Sequence, residues 1–87
     1  MRFYIGLVHQ DSDSAFGLQF PDVPGCFSAA DTLEDLLPKA SEALALHLEG
    51  SPLPKARPLH EVQADTFVIE ELRNDAFLMA VPLIELN

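Results

Sequence analysis

Between Phe20 and Cys26 the chain reads Pro21-Asp22-Val23-Pro24-Gly25, and neither a β-ladder nor a helix can run through that segment. Its two prolines withhold two amide donors, and Gly25 can adopt a positive φ that residues with side chains resist. The chain must turn here, so the elements on either side of the break form separately.

Before the break, Arg2 to Gln10 reads as a strand, with Phe3, Ile5 and Leu7 on one face and Tyr4 and Val8 on the other. Apolar groups on both faces suit a central strand. Asp11-Ser12-Asp13-Ser14 is a turn, because each of these side chains can bond nearby backbone amides. Ala15 to Phe20 is the second strand, in which Phe16, Leu18 and Phe20 alternate with Gly17 and Gln19, and the pair makes a hairpin.

After the break, Cys26 to Ala30 is a short third strand. A helix follows over about Thr32 to Glu49. Thr32 is its N-cap, with Asp31 the alternative, and Glu34 and Asp35 stand where the dipole favours negative charge. Leu33, Leu37, Ala40, Leu44 and Leu48 form the expected buried stripe, and Gly50 is a natural stop. Pro38 lies beyond the first turn and predicts a kink or a loosened start. Ser51 to Pro58 is a proline-rich connector. Leu59 to Arg73 reads as one or two short helices with Asp65 as a cap, against a competing strand at Thr66 to Glu70. Asn74-Asp75 marks a turn, and Phe77 to Leu83 is a last strand, apolar on both faces and therefore expected to be buried.

This order predicts an α+β domain, β-β-β-α-β, as a single domain over residues 1–87. The helical crossover is expected to return the chain parallel to a partner strand, giving a sheet ordered 3-2-1-4 with one long helix on one face. One helix covers one face only. Tyr4 and Val8 are expected on the other, which predicts self-association, a homodimer being the simplest form.

Charge bears on function. Fourteen acidic residues against five basic ones give a formal net charge of −9. That field repels phosphate backbones, so the segment is read as a poor nucleic-acid binder by itself; it would attract a basic protein, but on charge alone the first reading is that acidity keeps a small protein soluble. Cys26 is the only cysteine, which rules out an intrachain disulfide and a cysteine-based zinc site, and it reads as a small buried hydrophobe. With no apolar run long enough to span a membrane and no signal-peptide pattern, a cytoplasmic protein is expected. His9, His47 and His60 have no metal-ligand spacing, the glycines form no phosphate-binding loop, and there is no nucleophile elbow. The expectation is therefore no metal, no cofactor and no enzyme. Turn and cap roles account for Asp11, Asp13, Asp31 and Asp35.

Phe20-Pro21-Asp22-Val23-Pro24-Gly25-Cys26, then Asp31-Thr32-Leu33-Glu34-Asp35, then Ala40-x-Glu42-Ala43-Leu44, resembles the N-terminal region of HicB-like antitoxins. Ala76 to Leu83 looks like that family's closing strand. The resemblance implies a partial ribonuclease H-like fold. It also implies a role in covering the active site of a small basic HicA-type toxin, an mRNA-cleaving ribonuclease. Family members usually continue into a DNA-binding module, which these residues are not expected to contain. The fold likeness does not imply nuclease activity: that chemistry needs a carboxylate cluster around metal ions, and the strand interiors hold none. The toxin-interface candidates are Asp11, Asp13, Asp22, Glu34 and Asp35, and the family-motif loop comprises Pro21, Asp22, Pro24, Gly25 and Cys26. The alternative is a self-associating structural or regulatory domain without a toxin, and a neighbouring gene for a short basic protein would decide between the two.

Overall fold

A computed structural model describes residues 2–11 and 15–84. Four strands and three helices form in the order β1 (Arg2–Gln10), β2 (Phe16–Gln19), β3 (Phe27–Ala30), α1 (Leu33–Leu48), α2 (Leu59–Gln63), α3 (Thr66–Leu72) and β4 (Phe77–Leu83). The sheet has the order β3-β2-β1-β4, as the sequence predicts, with β1 and β2 central.

The proline segment is two successive turns. Val23 N–H donates to Phe20 O at 3.1 Å and Cys26 N–H to Val23 O at 3.2 Å, which puts Pro21 and Pro24 each at the second position of a four-residue turn, where a fixed φ is wanted. Gly25 has φ +86°, the left-handed value that the third position of a type II turn demands. Phe20, Val23 and Cys26 are driven into the core by this double bend.

Every ladder is antiparallel, β1 with β4 included, which corrects the expected parallel return. The cause is the pair of short helices that follows α1. α1 brings the chain back from β3, and the connector with α2 and α3 makes a further passage, so β4 enters reversed. Leu59 to Arg73 is helical throughout its two elements, and Asp65 caps α3 by accepting from Phe67 N–H at 2.9 Å; the competing strand does not form.

The helices sort onto opposite faces. α1 packs on the Tyr4–Val8 face, in a core that contains Leu18, Phe20, Leu36, Leu44 and Val81. Gly6 lies on that face, and a Cβ there would stand 2.8 Å from the Leu18 side chain, so its smallness is what admits Leu18. Val62 and Val68 from α2 and α3 pack with Leu7, Ile5 and Leu78 on the other face. Tyr4 and Val8 are therefore beneath the long helix and not on the uncovered side, which removes the reason given above for a dimer through that face. Tyr4 Oη donates to Pro54 O at 2.7 Å and pins the connector.

Thr32 caps α1 as expected, accepting from Asp35 N–H at 3.2 Å, and the helix runs unbroken through Pro38. Its buried face differs from the expected stripe: Leu36 is fully buried, whereas Leu33 and Leu37 are 42% and 38% exposed. Leu36, Ala40, Leu44 and Leu48 form an i, i+4 ridge, flanked by Ser41 and Ala45. Leu33 and Leu37 start the flanking ridge and lie largely outside the contact. β4 is also less buried than expected: it is an edge strand in which only Val81 and Leu83 are buried, and Phe77 and Ala80 are exposed.

Candidate functional site

The sheet register sorts the candidate acids into two groups. Gln10, Phe16 and Ala30 form one row across β1, β2 and β3, so the end of β1, the start of β2 and the end of β3 share one end of the sheet. Asp11 follows β1 there, exposed, with its backbone N–H donating to Ala15 O at 2.8 Å. Asp31, Glu34 and Asp35 are exposed in the segment that leaves β3 and begins α1. Phe77 pairs with Val8, which brings exposed Asp75 to the same end. Asp13 lies outside the described residues. Asp11, Asp31, Glu34, Asp35 and Asp75 thus give one end of the molecule a concentration of solvent-facing carboxylates, contributed by three separate connections. The sequence candidates did not include Asp75, because only the antiparallel placement of β4 brings it there.

Asp22 stands at the other end of β2 and is not free. Its Oδ1 accepts from Arg57 Nε at 2.6 Å and its Oδ2 from Arg57 N–H at 2.8 Å, and its side chain is only 7% exposed. Arg57 Nη1 reaches on to Asp65 Oδ2 at 3.2 Å. One guanidinium therefore ties the proline loop, the connector and the start of α3 together. The Asp22 hydrogen bond, ahead of the other contacts, holds Arg57 above the usual range for a guanidinium. Burial works to raise the Asp65 carboxyl, but the Arg57 bond and the amides of Phe67 and Val68 outweigh it and hold that carboxyl below the usual carboxylate range. Sequence reading missed Arg57. The one available signal was a cation set among prolines in a chain with only five basic residues.

The rest of the family-motif loop is structural in the same way: Pro21 and Pro24 set the two turns, Gly25 supplies the positive φ, and Cys26 is 3% exposed. Burial pushes the Cys26 thiol up, away from the thiolate a nucleophile needs. Among the described residues, no three His, Cys, Asp or Glu side chains converge in a way that could hold a metal ion, and no helix is long and apolar enough to cross a membrane. What the arrangement offers chemically is an acidic, solvent-facing end on a clamped scaffold.

Residues 4–83 match the family model described as HicB_like antitoxin of bacterial toxin-antitoxin system. An uncharacterised 14.9 kDa protein from the rep-hol intergenic region of Haemophilus phage HP1 (strain HP1c1) is 41% identical over 54 residues, covering 56% of this chain and 41% of that protein. The chain thus spans less than half the length of the phage relative. Among solved structures, it is similar to a chain of the HicA3 and HicB3 toxin-antitoxin complex, with a TM-score of 0.73 and 31% identity over 93% of this chain and 96% of that one. It is similar also to the N-terminal domain of the antitoxin HicB of Burkholderia pseudomallei, with a TM-score of 0.71 and 27% identity over 99% of this chain and 100% of that one.

Proposed function

The chain belongs to the HicB-like antitoxin family, and from that membership we propose that it is a binding module that neutralises a basic HicA-type, mRNA-cleaving toxin by protein–protein contact and has no catalytic role of its own. The observation that carries this is the likeness to a chain of the HicA3 and HicB3 complex over nearly the full length of both chains. The toxin-facing surface is the acidic end: Asp11, Glu34 and Asp35 of the original candidates, joined by Asp31 and Asp75, with Asp13 kept as a candidate. Asp22 leaves the set, since its carboxylate already binds Arg57. Exposed carboxylates on connections at one end of a rigid sheet can speed encounter with a cationic surface without disturbing the core.

The module acts in the cytoplasm, self-associates, uses no cofactor, and does not by itself bind operator DNA, because its −9 charge opposes a phosphate backbone. The test is to read the neighbouring reading frame for a short basic protein and to co-express the two. Rescue of growth and co-purification of the two chains support the reading. Failure of both, with each chain folded, overturns it.

A further inference from the structure

The two faces of the sheet are covered very differently. On the α1 side one continuous core takes in the strands, the proline loop and the long helix. On the other side the fully buried residues are Leu7, Val62 and Val68, with Ile5, Leu72, Ala76 and Leu78 partly buried around them. α2 has five residues and α3 has seven, and each supplies one of those valines. Helices so short do not hold their shape alone, so packing on Leu7 is what keeps them folded.

The connector leading into these helices is fixed to the rest of the molecule. Tyr4 Oη donates to Pro54 O at 2.7 Å, Ala56 packs against the α1-side core, and Arg57 donates to both carboxylate oxygens of Asp22. Pro52, Pro54 and Pro58 restrict its backbone further. At the far side of the helices, β4 is held by its antiparallel ladder with β1. Between these two anchors, α2 and α3 meet the sheet through apolar side chains, and Arg57 Nη1 donates to Asp65 Oδ2 at 3.2 Å, which ties the start of α3 to the fixed connector. The chain changes direction at both borders of the pair: Pro58 is extended, with ψ 161°, and Asp75 holds φ +70°.

We propose that α2 and α3 form a flap that opens as one unit about Pro58 and Asp75 while the sheet, α1 and the connector stay folded, and that the Arg57–Asp65 pair is its latch. Cooperative units with few buried apolar contacts open at lower cost than the whole fold, and this pair rests on two valines and one ion pair. Opening uncovers Leu7 at the middle of the sheet and moves Asp75, one of the carboxylates of the acidic end. The consequence for partner binding rests on the function proposed above; the opening itself does not, and the chain alone tests it.

The test is native-state hydrogen exchange at urea concentrations below the unfolding transition. The Val62 N–H donates to Pro58 O and the Ile69 N–H to Asp65 O, so both report on the flap, whereas Leu44 in α1 and Val8 in β1 are completely buried and report on the body. Val62 and Ile69 should share one opening, exchange about tenfold faster than Leu44 and Val8 or more, and respond weakly to urea, while the body amides respond steeply. Asp65→Asn keeps a capping oxygen and leaves Arg57 on Asp22, so it removes the charge from the latch alone. It should speed exchange at Val62 and Ile69 by about threefold. Asp65→Ser, which also keeps a capping oxygen, repeats that measurement if Asp65→Asn does not fold. Flap amides with the same rates and the same urea dependence as Leu44 and Val8 overturn the flap. Val62 and Ile69 opening independently of each other overturn the single unit. A shared flap opening that the Asp65 variants leave unchanged overturns the latch.

Discussion

Asp75 holds φ +70°, the only positive value among the described non-glycine residues. It sits where α3 gives way to β4, with Asn74 N–H and Ala76 N–H both donating to Glu71 O, at 2.9 and 3.2 Å. An L-residue with a Cβ pays for that conformation in steric crowding, although aspartate tolerates it better than most. Asp75→Gly is expected to raise stability by roughly 0.5 kcal/mol, read as a higher urea midpoint at unchanged slope. The sequence marks Asn74-Asp75 as a turn, but the sign of φ follows from the antiparallel entry of β4, which no local pattern encodes. Asp22 shows the same limit more sharply. Read alone it is a carboxylate in a proline loop; its partner, Arg57, lies 35 residues on and meets it only once the connector is pinned. Asp22→Ala is expected to cost about 3 kcal/mol, the low side for breaking a buried ion pair because Arg57 retains some access to water. A chemical-denaturation curve decides, and a loss within measurement error would mean that the clamp is decorative.

At the scale of elements, what could be read from the sequence was whatever had a local period. β1 and β4 form over the residues expected, α1 takes its cap from Thr32, and the two turns fall on the two prolines. The second helical layer was harder to place. α2 and α3 are short, each buries a single residue fully, Val62 or Val68, and their shared contact with Leu7 is a tertiary fact. The direction of β4 was misread because a crossover with one helix and a crossover with three differ in how many times the chain reverses. The cap of α3 carries a pH signature. Asp65 has its carboxyl lowered in the folded state, so its contribution is complete above the unfolded value of about 3.9 and is lost as pH falls through the lower folded value. Asp65→Asn keeps a capping oxygen but not the charge that pairs with Arg57. Urea melts at pH 7 should show the variant less stable, and the difference should shrink progressively as the pH of the melts is lowered below about 4. A constant difference across that range would place the effect in packing and not in the charge.

For the whole molecule, the deciding feature is the separation of two acidic sets by the length of the sheet. The resemblance pointed to five carboxylates at once, and only the register divides them: Asp22 closes a clamp at one end, while Asp11, Glu34 and Asp35 face solvent at the other. If the acidic end guides a basic toxin, removing charge there should change encounter more than it changes the fold. Asp11→Asn, Glu34→Gln and Asp35→Asn together reduce the formal charge from −9 to about −6 at positions that are all exposed. None of the three side chains is needed for the Thr32 cap, which bonds the Asp35 backbone N–H. Thermal stability should fall modestly, by about 0.6–2 kcal/mol, because Glu34 and Asp35 lie in the first turn of α1 where the dipole favours negative charge, and the variant remains folded. The association rate with a basic HicA-type toxin should fall several-fold at low salt and converge with the parent rate at high salt, where screening acts over about a Debye length of 3 Å at 1 M. A parallel triple substitution at Glu49, Glu61 and Glu70, exposed acids outside this set, supplies the control for net charge alone. Equal losses in the two variants would make the effect one of overall field. A loss confined to the first would place the toxin at the hairpin end of the sheet.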